Sequence, residues 1–287
     1  MERSMSHPQG LTLGELSPGV NQIELTGDGF SARLSLLGGQ LLDYRRDGEA
    51  PLFYLSPQAT YQAGKAIRGG VPVCWPWFGP HPAGSGQPAH GVARQQLWTL
   101  ADAGRDGEVF HVKLAGPRHG ELSANLEYRI GPDGVEIALH SRNHGAQPQT
   151  VSAALHSYFA VSDIANVSLS GLEGAPAHDK VGDARTLLPA EPFRFAGEVD
   201  LVAYSAHPVT LDDSGWCRRL VIASAGSAST VLWNPAPAKA QRFADLPDED
   251  WRCFICVETA NAGDDARTLA PGAGHTLSCR LHFSRAD

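Results

Sequence analysis

Residues 121–142 read ELSANLEYRIGPDGVEIALHSR, two runs of alternating apolar and polar residues around Gly131-Pro132-Asp133-Gly134. Successive side chains of a strand point to opposite faces, so a period of two marks a half-buried strand. Gly, Pro and Asp together supply the backbone angles of a tight turn. The stretch therefore reads as a β-hairpin. Outward from it, the same short alternating or continuously apolar runs recur at 20–26, 30–37, 40–45, 51–55, 107–115, 149–159, 166–170, 218–223, 229–233, 252–258 and 276–284. Turn signals punctuate them, among them Gly27-Asp28-Gly29, Gly38-Gly39 and Asp212-Asp213-Ser214-Gly215. Many short strands with such punctuation predict an all-β chain, an antiparallel sandwich or barrel. Long stretches of helical period are scarce, so helices should be few and short. No repeat, low-complexity tract or linker-like shift in composition breaks the chain. The expectation is one domain over 1–287, with an ordered core from about residue 20 to 285 and a peripheral tail over 1–15.

Composition narrows the partners. The 287 residues carry 23 Lys+Arg against 31 Asp+Glu, a formal net charge of −8. A nucleic-acid binder would show a basic balance or a basic stripe, and neither is present. Hydrophobic residues make up 42 % of the chain and charged ones 19 %, enough to bury a large core without disulfides. The five cysteines show no disulfide spacing. Cys253 and Cys256 form a single C-x-x-C in a strand-like run, without the second pair that a zinc site needs. No paired His/carboxylate spacing, G-x-S-x-G, P-loop or dinucleotide fingerprint occurs, so neither a metal nor a nucleotide cofactor is expected. The start, MERSMSHPQG, has no apolar signal core, and no apolar run is long enough to span a membrane. The chain is expected in the cytoplasm. The acidic run Asp245–Asp250 reads as a solvated loop.

One segment resists assignment to either core or surface: IRGGVPVCWPWFGPHPAGSGQPAHGVAR, residues 67–94. Gly and Pro exclude a long helix. Arg68 and Arg94 flank Trp75, Trp77 and Phe78, with His90 close by. In one reading the aromatics plug the core and the arginines face water. In the other they form a pocket with aromatic walls and cationic anchors for an anionic ligand. The clustering favours the pocket.

Two strand-like runs each hold a titratable residue among apolar neighbours. In VSAALHSYFAV (151–161), His156 shares a face with Ala154 and Tyr158. In WRCFICVETA (251–260), Glu258 shares a face with Phe254 and Cys256. An acid held in an apolar strand is pushed up in pKa, which makes a general base that works near neutrality. The plainer readings are a strand-end carboxylate already in water and a hydrogen-bonded core histidine.

Together, IRGGVPVCWPWFG (67–79), HGVAR (90–94), LHSYF (155–159), GEVDLVAY (197–204), WNP (233–235) and CVET (256–259) resemble the aldose 1-epimerase superfamily. They resemble its hexose-6-phosphate mutarotase branch in particular. The resemblance implies a large antiparallel β-sandwich of the galactose-mutarotase type and no cofactor. It also implies interconversion of the α and β anomers of a phosphosugar, glucose-6-phosphate above all; a monomer or weak dimer is expected. His156 would be the general acid and Glu258 the general base. Arg68 and Arg94 would bind the phosphate, Asp200 a sugar hydroxyl, and His90 would floor the pocket. Two positions depart from that branch: Ala89 stands where glutamine is usual, leaving Gln87 as the nearest amide, and Val92 replaces a phenylalanine. Three other functions fit the same pieces: a non-catalytic sugar binder, an epimerase of unphosphorylated aldoses, and a glycoside hydrolase using Asp200 and Glu258 with His156 out of reach.

Overall fold

The computed structural model describes residues 7–84 and 86–284. The hairpin is present: strands Leu122–Gly131 and Gly134–Asn143 pair antiparallel from Leu122↔Asn143 to Gly131↔Gly134. It lies inside an eight-stranded antiparallel sheet that runs from Val167–Ser170 at one edge to Thr99–Asp106 at the other. A second sheet of eight strands runs from Ala184–Leu187 through Pro176–Asp179, Val199–Ala203, Ser229–Asn234, Phe254–Asn261 and Ala153–Leu155 to Val73–Cys74. Tyr158–Ala160 joins it by pairing with Phe254–Asn261. A four-stranded sheet, Leu11–Ser17 to Leu41–Arg46, and a two-stranded one, Gln149–Val151 with Arg267–Leu269, complete the set. The described helices are short, the longest being Ala236–Ala240.

The two large sheets face each other across one apolar cluster. It takes Leu126, Leu139, Leu220 and Leu281 from the first sheet and Leu155, Leu232, Ile255 and Val257 from the second. The four-stranded sheet adds Ile23, Leu25 and Leu34 to the same cluster. This is the antiparallel sandwich expected of the alternating runs, whose apolar faces pack on the opposite sheet.

Several boundaries differ from the sequence reading, for physical reasons. Residues 51–55 form only isolated bridges, Phe53↔Phe159 and Leu55↔Gly69, not a strand. The run 149–159 is broken into three strands, with His156 and Ser157 in a gap between the last two. Leu11–Ser17 is a strand paired with Val20–Gly27, so a tail ending at residue 15 is too long; Leu11 is buried in the core. Residues 1–6 and 285–287 lie outside the described residues. Ala184–Leu187, unpredicted, has all four residues exposed, and Thr99–Asp106 (TLADAGRD) is almost as open. An edge strand that buries nothing leaves no hydrophobic period to read.

Candidate active site

Strand Phe254–Asn261 is buried along all eight residues. Its alternation sends Ile255 and Val257 into the core between the sheets. Phe254 and Cys256 face the opposite way into a small cluster with Tyr158 and Trp233. Ala260, on that same outer face, joins another with Cys74, Ala154 and Val231. Glu258 stands between these two apolar patches and is 1 % exposed. The strand continues past it to Asn261, so it is not a strand-end carboxylate in water.

His156 reaches the same place from the gap before Tyr158–Ala160, its backbone N–H bonded to Pro72 O at 2.9 Å. Its Nε2 lies 3.4 Å from Glu258 Oε1. Neither His156 Nδ1 nor Glu258 Oε2 has a hydrogen-bond partner among the described residues. The imidazole stacks on the Tyr158 ring, centroids 4.8 Å apart and 10° from parallel. Burial pushes the Glu258 carboxyl well above its usual range; Asp200 adds to the shift, and Arg94 and Lys180 oppose it. Burial also holds His156 well below an ordinary histidine, with His90, Arg94 and Arg68 acting in the same direction. At 3.4 Å the two groups hold one proton between them, and burial favours its neutral arrangement, carboxylic acid beside imidazole.

The pair opens into a cavity of 320 Å³ lined also by Arg68, Arg94, His90, Phe78 and Asp200. That volume suits a small polar ligand. Asp200 comes from Val199–Ala203, and burial raises its carboxyl above the usual range. His90, at φ 64°, accepts from Gly79 N–H through Nδ1 at 3.3 Å. Burial, with Arg94, Lys180 and Arg68 nearby, pushes it down to about 3, so at neutral pH its proton sits on Nε2, as a donor. Arg68 donates to Asp245 Oδ1 through Nε at 3.2 Å and Nη2 at 3.1 Å, and through Nη1 to the Tyr158 hydroxyl at 3.1 Å. Asp245, read as part of a solvated loop, is thus the arginine's anchor. Arg94 gives Nη2 to Ala89 O at 2.9 Å, and its buried Nε has no partner among the described residues.

The glycines of 67–94 make this arrangement possible. A Cβ on Gly70 (φ 61°) would lie 2.3 Å from Leu41 O, and one on Gly91 (φ 73°) 2.0 Å from Trp75 O. Only glycine permits those approaches, which bring Arg68 and the His90–Arg94 loop to one cavity. Trp75 and Trp77, expected as cavity walls, are elsewhere. Trp75 is fully buried in the main core and bonds Ser141 Oγ at 3.0 Å. Trp77 bonds Pro88 O at 3.0 Å and packs on His81 and His119. Both obey the ordinary preference of indole for burial with its N–H satisfied. Gln87 is exposed and does not line the cavity, so it does not replace the amide missing at Ala89. The aromatic lining comes instead from Phe78, Tyr158, Trp233 and Phe243.

Lys180 and Lys239 also line the cavity, and the sequence reading missed both. Lys180 sits in the turn between Pro176–Asp179 and Ala184–Leu187, its ammonium 5.7 Å from the Phe78 ring centre. Lys239, on the short helix, pairs with Glu198 at 2.8 Å.

The family model described as aldose 1-epimerase matches residues 21–282. The chain belongs to the aldose 1-epimerase family. It is 36 % identical over 256 residues to the "Putative glucose-6-phosphate 1-epimerase" of Escherichia coli (strain K12), covering 85 % of this chain and 84 % of that one. A protein of the same name from Cenchrus ciliaris is 31 % identical over 275 residues, with 88 % and 82 % covered. The crystal structure of a "putative mutarotase" from Salmonella typhimurium superposes with a TM-score of 0.86 at 29 % identity, over 96 % of this chain and 97 % of that one. The chain is therefore an isomerase of the aldose 1-epimerase family, with a mutarotase β-sandwich. For this epimerase the glycoside-hydrolase alternative loses its geometric condition, since His156 lies beside Glu258 rather than out of reach.

Proposed function

We propose that the protein interconverts the α and β anomers of a hexose 6-phosphate, glucose-6-phosphate before others, by opening and reclosing the ring. The observation that carries this reading is the His156–Glu258 contact at 3.4 Å, on a cavity that Arg68 and Arg94 also line. Ring opening removes the proton of the C1 hydroxyl and adds one to the ring oxygen. With the pair as imidazolium and carboxylate, Glu258 takes the first proton and His156 gives the second. The open-chain aldehyde then faces a neutral imidazole and a carboxylic acid. Rotation about C1–C2 turns the other carbonyl face to the C5 hydroxyl, and reclosure returns both protons along the same route. The two arrangements of the shared proton are thus the two halves of the cycle. Burial favours one of them in the free site, and a bound phosphate dianion favours the imidazolium of the other. Asp200 accepts from a sugar hydroxyl, and His90 donates to another through Nε2. The same reading takes 1–287 as one domain, which the core cluster running from Leu11 to Leu281 supports.

Polarimetry of freshly dissolved α-glucose-6-phosphate, with and without protein, tests the assignment. The rotation should relax faster with the protein, and an unchanged rate would remove the activity. Added EDTA should leave that rate unchanged, because the steps assigned above use only side chains; recovery by one divalent ion after EDTA loss would contradict it.

The arginines give a sharper test. A charged hydrogen bond in a partly desolvated site is worth roughly 1.5–3 kcal/mol, or about one to two decades in affinity. Arg94→Ala and Arg68→Ala should raise KM for glucose-6-phosphate by about that factor and hardly change turnover of glucose. Arg68→Ala should also lower the melting temperature, since it strips Asp245 of its partner. Equal losses on both sugars would make the arginines structural and favour an epimerase of unphosphorylated aldoses.

A further inference from the structure

Tyr158 lies between the two halves of the site and has not been given a role. It is 3 % exposed, yet it lines the cavity beside Arg68 and His156. Its ring and its hydroxyl meet different partners. The ring lies nearly parallel to the His156 imidazole and in stacking contact with it. A functional imidazole is ordinarily oriented by a hydrogen bond to its second nitrogen, from a carboxylate or a carbonyl. His156 Nδ1 has no such partner among the described residues. What fixes the ring plane is aromatic packing: Tyr158 on its face and the edge of Trp233, centroids 5.9 Å apart. Tyr158 is itself wedged against Phe254, 5.2 Å between centroids, so the stack rests on the sheet.

The hydroxyl accepts the 3.1 Å bond from Arg68 Nη1 and donates none among the described residues. Burial raises its pKa, so the O–H keeps its proton across the working range. A phenol that accepts from a guanidinium is polarised, and its own hydrogen is then a stronger donor. The unused donor stands next to the cation assigned to the phosphate.

We propose that Tyr158 acts twice: its ring positions His156, and its hydroxyl donates to a phosphate oxygen of the substrate beside Arg68. The second half rests on the phosphosugar reading above, and two substitutions separate the halves. Tyr158→Phe keeps the stack and removes the donor. KM for glucose-6-phosphate should rise about tenfold, the loss of one hydrogen bond to a charged group, with kcat unchanged and glucose unaffected. Inhibition by inorganic phosphate should weaken by the same factor, a reading of binding that needs no change in turnover. Tyr158→Leu removes the stack as well, and kcat should fall about 10²-fold on both sugars, the cost of an imidazole displaced by about 1 Å. The phenylalanine variant is the rescue: kcat at the native level in Tyr158→Phe and lost in Tyr158→Leu is what positioning requires.

If both variants lose kcat and affinity alike on both sugars, in step with their melting temperatures, Tyr158 is merely structural and the proposal fails. A native KM for glucose-6-phosphate in Tyr158→Phe, when the wild-type protein prefers the phosphosugar, overturns the hydroxyl's role. A wild-type protein without that preference overturns the phosphosugar reading and the hydroxyl's role with it. In that case the kcat comparison on glucose alone decides the ring's role.

Discussion

Glu258→Gln is expected to lower kcat for mutarotation of glucose-6-phosphate by about 10²–10⁴-fold, the range of one positioned acid or base. The amide has the shape of the carboxylate but cannot take the C1 hydroxyl proton. His156→Ala should fall in the same range, since the ring oxygen must then draw its proton from water. The native pH profile should show the cause. Burial pushes the Glu258 carboxyl well above its usual range, and the proposed step needs the pair to hold one proton. The rate should therefore fall as pH climbs through that raised value, because the pair has then lost its proton and His156 has none to give the ring oxygen. The same shift has a consequence for stability. A carboxyl whose folded pKa exceeds its unfolded one favours the folded state in its protonated form. That contribution is complete below the unfolded pKa and is lost as pH climbs through the folded one. Glutamine has no proton to lose. Over that window the melting temperature of Glu258→Gln should stay level while the native one declines, the signature of a group kept for function at a cost in stability. Near-native turnover by a well-folded Glu258→Gln protein would remove this residue from the chemistry.

Glu258 was legible because strand periodicity assigns a face without any tertiary information. Phe254, Cys256 and Glu258 alternate with Ile255 and Val257, and an acid in such a row is conspicuous. His156 was legible as a residue but not in its setting. The gap at 156–157 is flanked by bonds from His156 N–H to Pro72 O and from Tyr158 N–H to Gly70 O, more than eighty positions away, and no local pattern announces them. Lys180 went unread for a related reason. It occupies an exposed turn, where lysine is unremarkable, and lines the cavity only because Asp179 pairs with Leu201, next to Asp200. Asp245 was hidden in an acidic run that looked solvated. In each case the missing information is a long-range contact: backbone pairing in or beside the second large sheet for His156 and Lys180, and an ion pair between loops for Asp245. The sandwich itself was read from the alternating and apolar runs; Ala184–Leu187 and Thr99–Asp106 escaped because they bury little, whereas Val199–Ala203 and Val209–Asp213 escaped although each buries three of its five residues.

The aromatic residues of 67–94 teach the converse, and Trp75 allows the strongest test of it. As a cavity wall it would touch sugar, and Trp75→Ala would raise KM. The structure instead gives it no exposed surface, a place in the main core, and an indole N–H on Ser141. A buried tryptophan replaced by alanine typically costs about 3–5 kcal/mol in lost transfer energy and residual cavity. Ser141, itself 5 % exposed, loses a partner as well. For a chain of this size each kcal/mol moves the melting temperature by about 2–4 °C, so a fall of about 10 °C is expected. What the site takes from position 75 is backbone. Trp75 O receives the N–H groups of Val92 and Ala93, the residues that lead into Arg94, and alanine keeps that carbonyl. The variant, assayed well below its melting temperature, should therefore show a KM for glucose-6-phosphate close to native. A raised KM with an unchanged melting curve would return Trp75 to the cavity wall.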